Sequence, residues 1–316
     1  MKRYASIDIG SQTIRLLIAD CDAETLYPIE HHREIVQLGS NMHSNARLQP
    51  DRIELSLACI KRFCERARAI KADTIMAVAT ACVRRAKNKQ DFITQVQQTC
   101  GILPEIIDGQ QEAQLSRAGV QAVLPNHDGP QVIVDIGGGS TELSFLVSGY
   151  FKQSWSLRCG VIAPTEQFLH TDPPGSMEIE AVKTWIRAGF ESGGMQNPLS
   201  KSGASPVIIA TAGTATTLAA MDLKLRDYEP ARINGHRLSC TTINALLQSM
   251  LKLPLKIRSE LAGLERGRAD VIIPGALILQ HVLDLFSCTS CTICDSGLLE
   301  GIIIQHASLK KIIEKA

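Results

Sequence analysis

The chain has 316 residues, a formal net charge of +1, 45% apolar residues and 21% charged residues. That length and balance fit a globular protein with room for two cored domains, and near-neutrality argues against a broad nucleic-acid-binding surface. No apolar run approaches the roughly 18 residues that span a membrane. Met1-Lys2-Arg3-Tyr4 passes into a strand pattern without a leader, and ten cysteines are scattered through core-like segments, so a cytoplasmic protein with reduced thiols is expected.

Residues 4–19, YASIDIGSQTIRLLIA, read as strand, tight turn and strand, with Asp8, Gly10 and Ser11 at the turn. Arg15 alternates away from its apolar neighbours and reads as an exposed edge arginine. A further strand is expected over Glu34–Leu38. Pro50-Asp51 opens a helix over 50–71, with Ile53, Leu57, Ile60, Phe63 and Cys64 on one side. Lys61, Arg62, Arg66, Arg68 and Lys71 crowd the other side, a solvated face or a guide for a polyanion. A buried strand at 74–80 leads into Ala81-Cys82-Val83-Arg84-Arg85-Ala86-Lys87-Asn88. Arg84, at the strand's carboxyl end, is placed to grip phosphate with its planar fork, and Arg85 reads as solvated. A helix at 89–100, a strand at 104–108 and a helix at 110–120 follow. Glu112 falls in the first turn of the last helix, where an acidic residue is also favoured by the helix dipole alone. The turn-rich stretch Pro125–Pro130 marks a boundary between domains at 1–125 and 126–301.

The second half opens with QVIVDIGGGSTELSFLV, residues 131–147. A β-branched run enters Asp135, three glycines (Gly137, Gly138, Gly139) turn the chain, and Ser140, Thr141 and Glu142 lead into an alternating strand. Glycines let backbone N–H groups approach an anion, and carboxylates beside a phosphate cradle suit Mg²⁺. Such a hairpin alone is often structural, but it echoes residues 4–19, and VIIATAGTATTLAA at 207–220 reads as a third small-residue turn, at Gly213. Neither Asp-Ile-Gly hairpin is a Walker loop or a Rossmann fingerprint, because strand rather than helix follows the glycines. A strand at Gln153–Leu157, a helix at 176–192, a Gly/Ser-rich loop at 193–205 and helices at Leu238–Met250, Lys256–Glu265 and 269–285 complete the domain. Cys288, Cys291 and Cys294 have a spacing that can begin an iron–sulfur site, but no fourth cysteine with a following proline completes it, and a buried metal-free strand is the favoured reading. A final helix starts near Gly297 and runs to Lys315, its 302–316 portion expected to pack back on the first domain.

The segments SIDIGSQTIRLLI, AVATACVRRAKN, IIDGQQEAQLSRAGV, VDIGGGSTELSF, ATAGTATTLAA, RADVIIPGALIL and DSGLLEGI together resemble the exopolyphosphatase/guanosine pentaphosphate phosphohydrolase family, within the actin–sugar kinase–Hsp70 superfamily. They run in family order from residue 6 to residue 302. The resemblance implies an α/β fold of two similar actin-like (ribonuclease H-like) domains facing a central cleft. It further implies that Glu112 is the general base for the attacking water, and that Arg84 and Asn88 lie near the cleft. The sequence departs from the family at Gln12, Ala163, Ala212 and Leu299, which stand where the family has asparagine, arginine, glycine and arginine.

On this reading the substrate is held by Asp8, Gly10, Ser11, Arg84, Gly137, Gly138, Gly139, Ser140, Thr141 and Gly213. Asp135 and Glu142 hold Mg²⁺ or another divalent cation, and the chain hydrolyses terminal phosphate from inorganic polyphosphate. Guanosine pentaphosphate is the alternative substrate. An actin-fold ATPase or kinase and a non-catalytic polyphosphate or alarmone sensor remain open. The family often forms dimers, so a homodimer is an open expectation. The histidines lack metal-site spacing, and no G-x-S-x-G elbow occurs.

Overall fold

The computed structural model describes residues 1–22, 25–42, 45–125, 127–200 and 203–307, with the side chain of Arg266 left aside. By internal contacts the chain divides into two units, Met1–Ala122 with Gly297–Ala316, and Val123–Ser296.

The first unit is built on a five-stranded sheet. In chain order it contains β1 (Lys2–Ile9), β2 (Thr13–Cys21), β3 (Leu26–Ile35), α1 (Pro50–Ala69), β4 (Thr74–Ala79), α2 (Ala81–Arg85), α3 (Lys89–Cys100), β5 (Glu105–Ile106) and α4 (Gly109–Val123). The sheet order is β3-β2-β1-β4-β5. β1 is antiparallel to β2 and parallel to β4, and β4 is parallel to β5. Both faces are covered, which is why β1 and β2 read as nearly continuous apolar runs. Ile7, Ile9, Leu16 and Ile18 face α1 and α3. On the other side Tyr4, Leu17, Ala19 and Cys21 pack with Leu299 and Ile303 of the chain's closing helix.

The second unit repeats the plan. It contains β6 (Pro130–Ile136), β7 (Thr141–Val147), β8 (Tyr150–Leu157), α5 (Ile162–Phe168), α6 (Ser176–Ser192), β9 (Val207–Thr211), α7 (Ala212–Asp222), α8 (Pro230–Ile233), β10 (Arg237–Ser239), α9 (Cys240–Met250), α10 (Leu255–Arg258), α11 (Ile272–Leu285) and β11 (Ser290–Ile293). The sheet runs β8-β7-β6-β9-β11, with β10 added at the far edge. β6 takes the place of β1, β7 of β2, β8 of β3, β9 of β4 and β11 of β5. A large core joins the sheet to the α6, α7, α9 and α11 helices. These are two actin-like domains of mixed α/β structure.

Several elements depart from the sequence expectations. The strand expected at Glu34–Leu38 lies earlier, at Leu26–Ile35, because β3 is an edge strand with no buried residue and shows no apolar alternation. Its Pro28 sits at a bulge opposite β2, where a missing N–H is tolerated. The strand of segment 207–220 is present, but the small-residue turn expected at Gly213 is helix: α7 follows β9 directly. The expected helix at Leu238–Met250 begins with β10, and the one at Lys256–Glu265 shrinks to the short α10. Pro130 belongs to β6, and residue 126 of the expected linker lies outside the described residues.

The closing helix, α12, is described over Leu298–Ala307, and residues 308–316 of its expected course lie outside the described residues. It meets α4 at two glycines. A Cβ on Gly119 would lie 1.9 Å from the Gly297 carbonyl oxygen, and one on Gly301 would lie 1.9 Å from that of Leu115. Both contacts are with backbone, which cannot swing aside. The Ser6 hydroxyl adds a buried hydrogen bond to the Leu299 carbonyl, 2.9 Å away. Gly119→Ala is therefore expected to destabilise the fold by about 3 kcal/mol, as overpacking does in a site that cannot relax. Chemical denaturation measures it, and a loss below about 0.5 kcal/mol would show that the helices separate without cost.

Candidate functional site

In each unit the chemistry-bearing residues gather at the carboxyl ends of the parallel strands, the usual ligand position in α/β sheets. In the first unit β1 ends at the Gly10 turn, where the Gly10 N–H closes the hairpin on the Thr13 carbonyl at 3.1 Å. After β4, the Thr80 N–H bonds the Ile9 carbonyl, and α2 then carries Arg84. After β5, the Ile107 N–H bonds the Ala79 carbonyl and Asp108 caps α4. The Asp108 Oδ1 accepts from the Gln110 and Gln111 amides, while the Gln111 Oε1 accepts from the Asp108 amide. This reciprocal cap satisfies orphan donors of the first turn. It also fixes where Glu112 sits.

Glu112 is buried, and Arg84 reaches it. One guanidinium nitrogen, Nη1, donates to the Glu112 Oε2 at 3.0 Å and to the Ile107 carbonyl at 2.7 Å. Asn88 is spent differently: its amide spans the backbone of Leu48, accepting from the N–H and donating to the carbonyl. Arg85 is exposed and bonds the Ala81 carbonyl.

Asp8 and Arg15 form a pair the sequence reading did not anticipate. They are direct partners in the β1–β2 register, so their side chains share a face. Arg15 donates Nε and Nη2 to the Asp8 Oδ2, at 3.0 and 2.7 Å. Writing out the hairpin register would have revealed this pair from sequence.

The second unit keeps the same hairpin with a different charge pattern. Asp135 pairs with Glu142 across β6 and β7, and Glu142 pairs with Ser156 of β8. Asp135 and Glu142 are 8% and 2% exposed. Two buried acids on one face repel each other, which a cation relieves. Hard carboxylate oxygens in that number fit Mg²⁺, which takes one or two protein carboxylates together with phosphate oxygens and water. No cluster of three or more metal-ligating side chains occurs among the described residues. Ser156 donates its hydroxyl to the Glu142 Oε1 at 2.8 Å.

Between these acids the glycine turn is braced from outside. The Gly137 N–H bonds the Ser140 carbonyl, while the Gly137 and Gly138 carbonyls accept from Val161 and Ile162. Gly160 lies against the turn so closely that a Cβ would come within 2.5 Å of its backbone. Among the described residues the N–H groups of Gly138 and Gly139 have no protein acceptor, so they can face an anion. Ser140 is buried beside them. Thr141 is wholly buried, and its hydroxyl donates to the Cys159 carbonyl at 2.5 Å, so it braces the turn. Gly213 lies in the first turn of α7, not in a hairpin, and the Arg268 guanidinium covers it; a Cβ there would lie 2.1 Å from Nη1.

Ala212, where a glycine was expected from the family pattern, adopts φ +65° at the junction of β9 and α7. Leu299 faces the apolar cluster beneath α12. Gln12 and Ala163 are a buried loop residue and an early residue of α5. The cysteine run is largely structural in setting. Cys291 and Cys294 are buried, burial pushes the Cys291 thiol up to about 12, and the Cys288 thiol bonds the Pro206 carbonyl.

Comparison with known proteins gives a consistent result. A model of the Ppx/GppA phosphatase family matches residues 17–310. The chain is 30% identical to Exopolyphosphatase 2 of Mycobacterium tuberculosis, covering 97% of this chain and 99% of that one. It is 25% identical to Exopolyphosphatase 1 of Mycobacterium leprae, covering 96% and 89%. A solved Ppx/GppA family member of Aquifex aeolicus superposes with a TM-score of 0.80 at 31% identity, covering 98% of each chain.

Two outcomes are expected from this geometry. Arg84→Ala leaves the buried Glu112 carboxylate without its guanidinium partner and should cost about 2 kcal/mol of stability. Urea unfolding of the pair of proteins measures it, and an unchanged midpoint would make the contact energetically idle. Ala212→Gly removes a left-handed alanine and should raise stability by about 1 kcal/mol. A lower melting temperature would mean that the methyl's packing outweighs the strain.

Proposed function

The chain belongs to the Ppx/GppA phosphatase family, and from that premise we propose that it is an exopolyphosphatase, releasing terminal phosphate from inorganic polyphosphate by hydrolysis. The observation that supports this most is the acid pair Asp135–Glu142 in register at the mouth of a glycine turn whose Gly138 and Gly139 amides face no protein acceptor among the described residues. The relatives named exopolyphosphatase, aligned over nearly the whole chain, agree with it. Mg²⁺ is the proposed cation, the cytoplasm the proposed compartment and a homodimer the proposed assembly.

Phosphoryl transfer to water asks the protein mainly for positioning and for stabilisation of charge. On this reading the Gly138 and Gly139 amides and the Ser140 hydroxyl donate to phosphate oxygens. A divalent cation held by Asp135 and Glu142 would neutralise charge on the phosphate oxygens. For Glu112, in the first unit, the family resemblance supports the role of acceptor for the proton of the attacking water; the bond from the terminal phosphorus to the bridging oxygen breaks, and the shortened chain leaves as the oxyanion. Arg84 acts on this reading as the group that holds the Glu112 carboxylate in place, in addition to any contact with substrate. Asp8, already neutralised by Arg15, serves the N-terminal turn as a fixed ion pair.

The test compares wild type with Glu112→Gln on long-chain polyphosphate in the presence of Mg²⁺. Phosphate release should fall by on the order of 10³-fold, the range for loss of a general base, while polyphosphate binding persists. Equal turnover by both proteins would remove Glu112 from the base role. Release from guanosine pentaphosphate but not from polyphosphate would move the substrate assignment to the nucleotide.

A further inference from the structure

The two hairpins differ in one respect that bears on cation binding. In the first unit the row across β1, β2 and β3 reads Asp8, Arg15, Arg33. In the second unit the same row, across β6, β7 and β8, reads Asp135, Glu142, Ser156. The acid on the first strand is common to both. On the second strand a guanidinium in one copy is replaced by a carboxylate in the other. Thus the first row carries its own cation, held on Asp8 by two hydrogen bonds. The second row carries two acids, and its third member is a neutral donor.

We infer that Ser156 is a positioning residue for Glu142, orienting its carboxylate for a divalent cation shared with Asp135; this rests on the reading of that pair as the cation site. The Ser156 backbone lies on an edge strand. Trp155 and Leu157 on either side point into the core, so Ser156 points to the opposite face, the face of Asp135 and Glu142. Its hydroxyl donates to the Glu142 Oε1. That bond restrains the last torsion of a side chain that otherwise rotates broadly. A hydroxyl brings no charge and so adds no counterion to the pair. A lysine or arginine at the same place would instead supply an internal counterion, as Arg15 does for Asp8. Partners outside the ligand shell of this kind hold ligand orientation in metal sites generally.

The experiment titrates the metal-free full-length protein with Mn²⁺, followed by electron paramagnetic resonance, and in parallel measures phosphate release against Mg²⁺ concentration. Wild type, Ser156→Ala, Ser156→Thr and Glu142→Gln are compared, with melting temperatures taken for each. Ser156→Ala should weaken Mn²⁺ binding about 10-fold and raise the half-saturating Mg²⁺ concentration by a similar factor. Turnover at saturating Mg²⁺ should recover to within about threefold of wild type, and Ser156→Thr, which keeps the hydroxyl, should restore the binding. If Ser156→Ala binds Mn²⁺ as wild type does while Glu142→Gln does not, Ser156 has no positioning role and the cation site stands. If Glu142→Gln also binds as wild type does, the cation site itself is wrong and the inference falls with it. A lower melting temperature for Ser156→Ala with unchanged affinity would assign the hydroxyl to edge-strand stability alone and overturn the proposal.

Discussion

Strand register is the constraint on which both hairpins depend. Residues directly opposite each other in an antiparallel pair share a face, so one shift of register would send every side chain of the strand to the other side. In register, Asp8 meets Arg15 and Asp135 meets Glu142. The apolar residues on alternate positions hold that register by burial, Ile7, Ile9, Leu16 and Ile18 in one unit and Val132, Val134, Leu143 and Phe145 in the other. The charged pairs are thus placed by the hydrophobic effect acting on their neighbours. Burial of two acids side by side in the second hairpin is unfavourable by itself. It persists because the surrounding core fixes the backbone that carries them.

The duplicated plan then diverges through single side chains. The same position on the second strand holds Arg15 in one unit and Glu142 in the other, so one topology carries an ion pair in one copy and two acids in the other. The turns differ as well. The first closes from Gly10 to Thr13 and the second from Gly137 to Ser140, with Val161, Ile162 and Gly160 packed against the second from outside. That outer brace takes up turn carbonyls, while the Gly138 and Gly139 amides keep no protein acceptor among the described residues.

Glu112 depends on a second kind of constraint. The α4 helix is placed by its cap at Asp108 and by its contact with α12, where Gly119 and Gly301 allow the backbones to touch. The closing helix of the chain therefore helps to position a residue nearly two hundred positions earlier. Leu299, on the same closing helix, faces the sheet instead. Where the family pattern expects an arginine, this leucine fills the apolar cluster of Tyr4, Leu17 and Cys21. Ala212 shows the reverse effect. A side chain that disfavours positive φ is held there by the junction between β9 and α7.

Much of this protein is determined by local pattern. Strand–turn–strand signals mark the two Asp-Ile-Gly hairpins, and the 3.6-residue period marks α1, α3 and α6, because the information lies within one turn or one strand. The family motifs likewise name Glu112, Asp135 and Glu142 from short stretches. Edge strand β3 escaped the pattern because exposure on both faces erases alternation, and α7 passed for a turn because a fully buried, small-residue helix carries no polar face. Tertiary structure alone decided the partners. The Arg84 contact with Glu112, the Ser156 bond to Glu142, Thr141 turned to the Cys159 carbonyl and Arg268 laid over Gly213 join segments 14 to 55 residues apart in sequence. Such contacts form only when the sheets and helices have packed, because it is burial of the whole face, and no property of the residues singly, that brings these groups within hydrogen-bond reach.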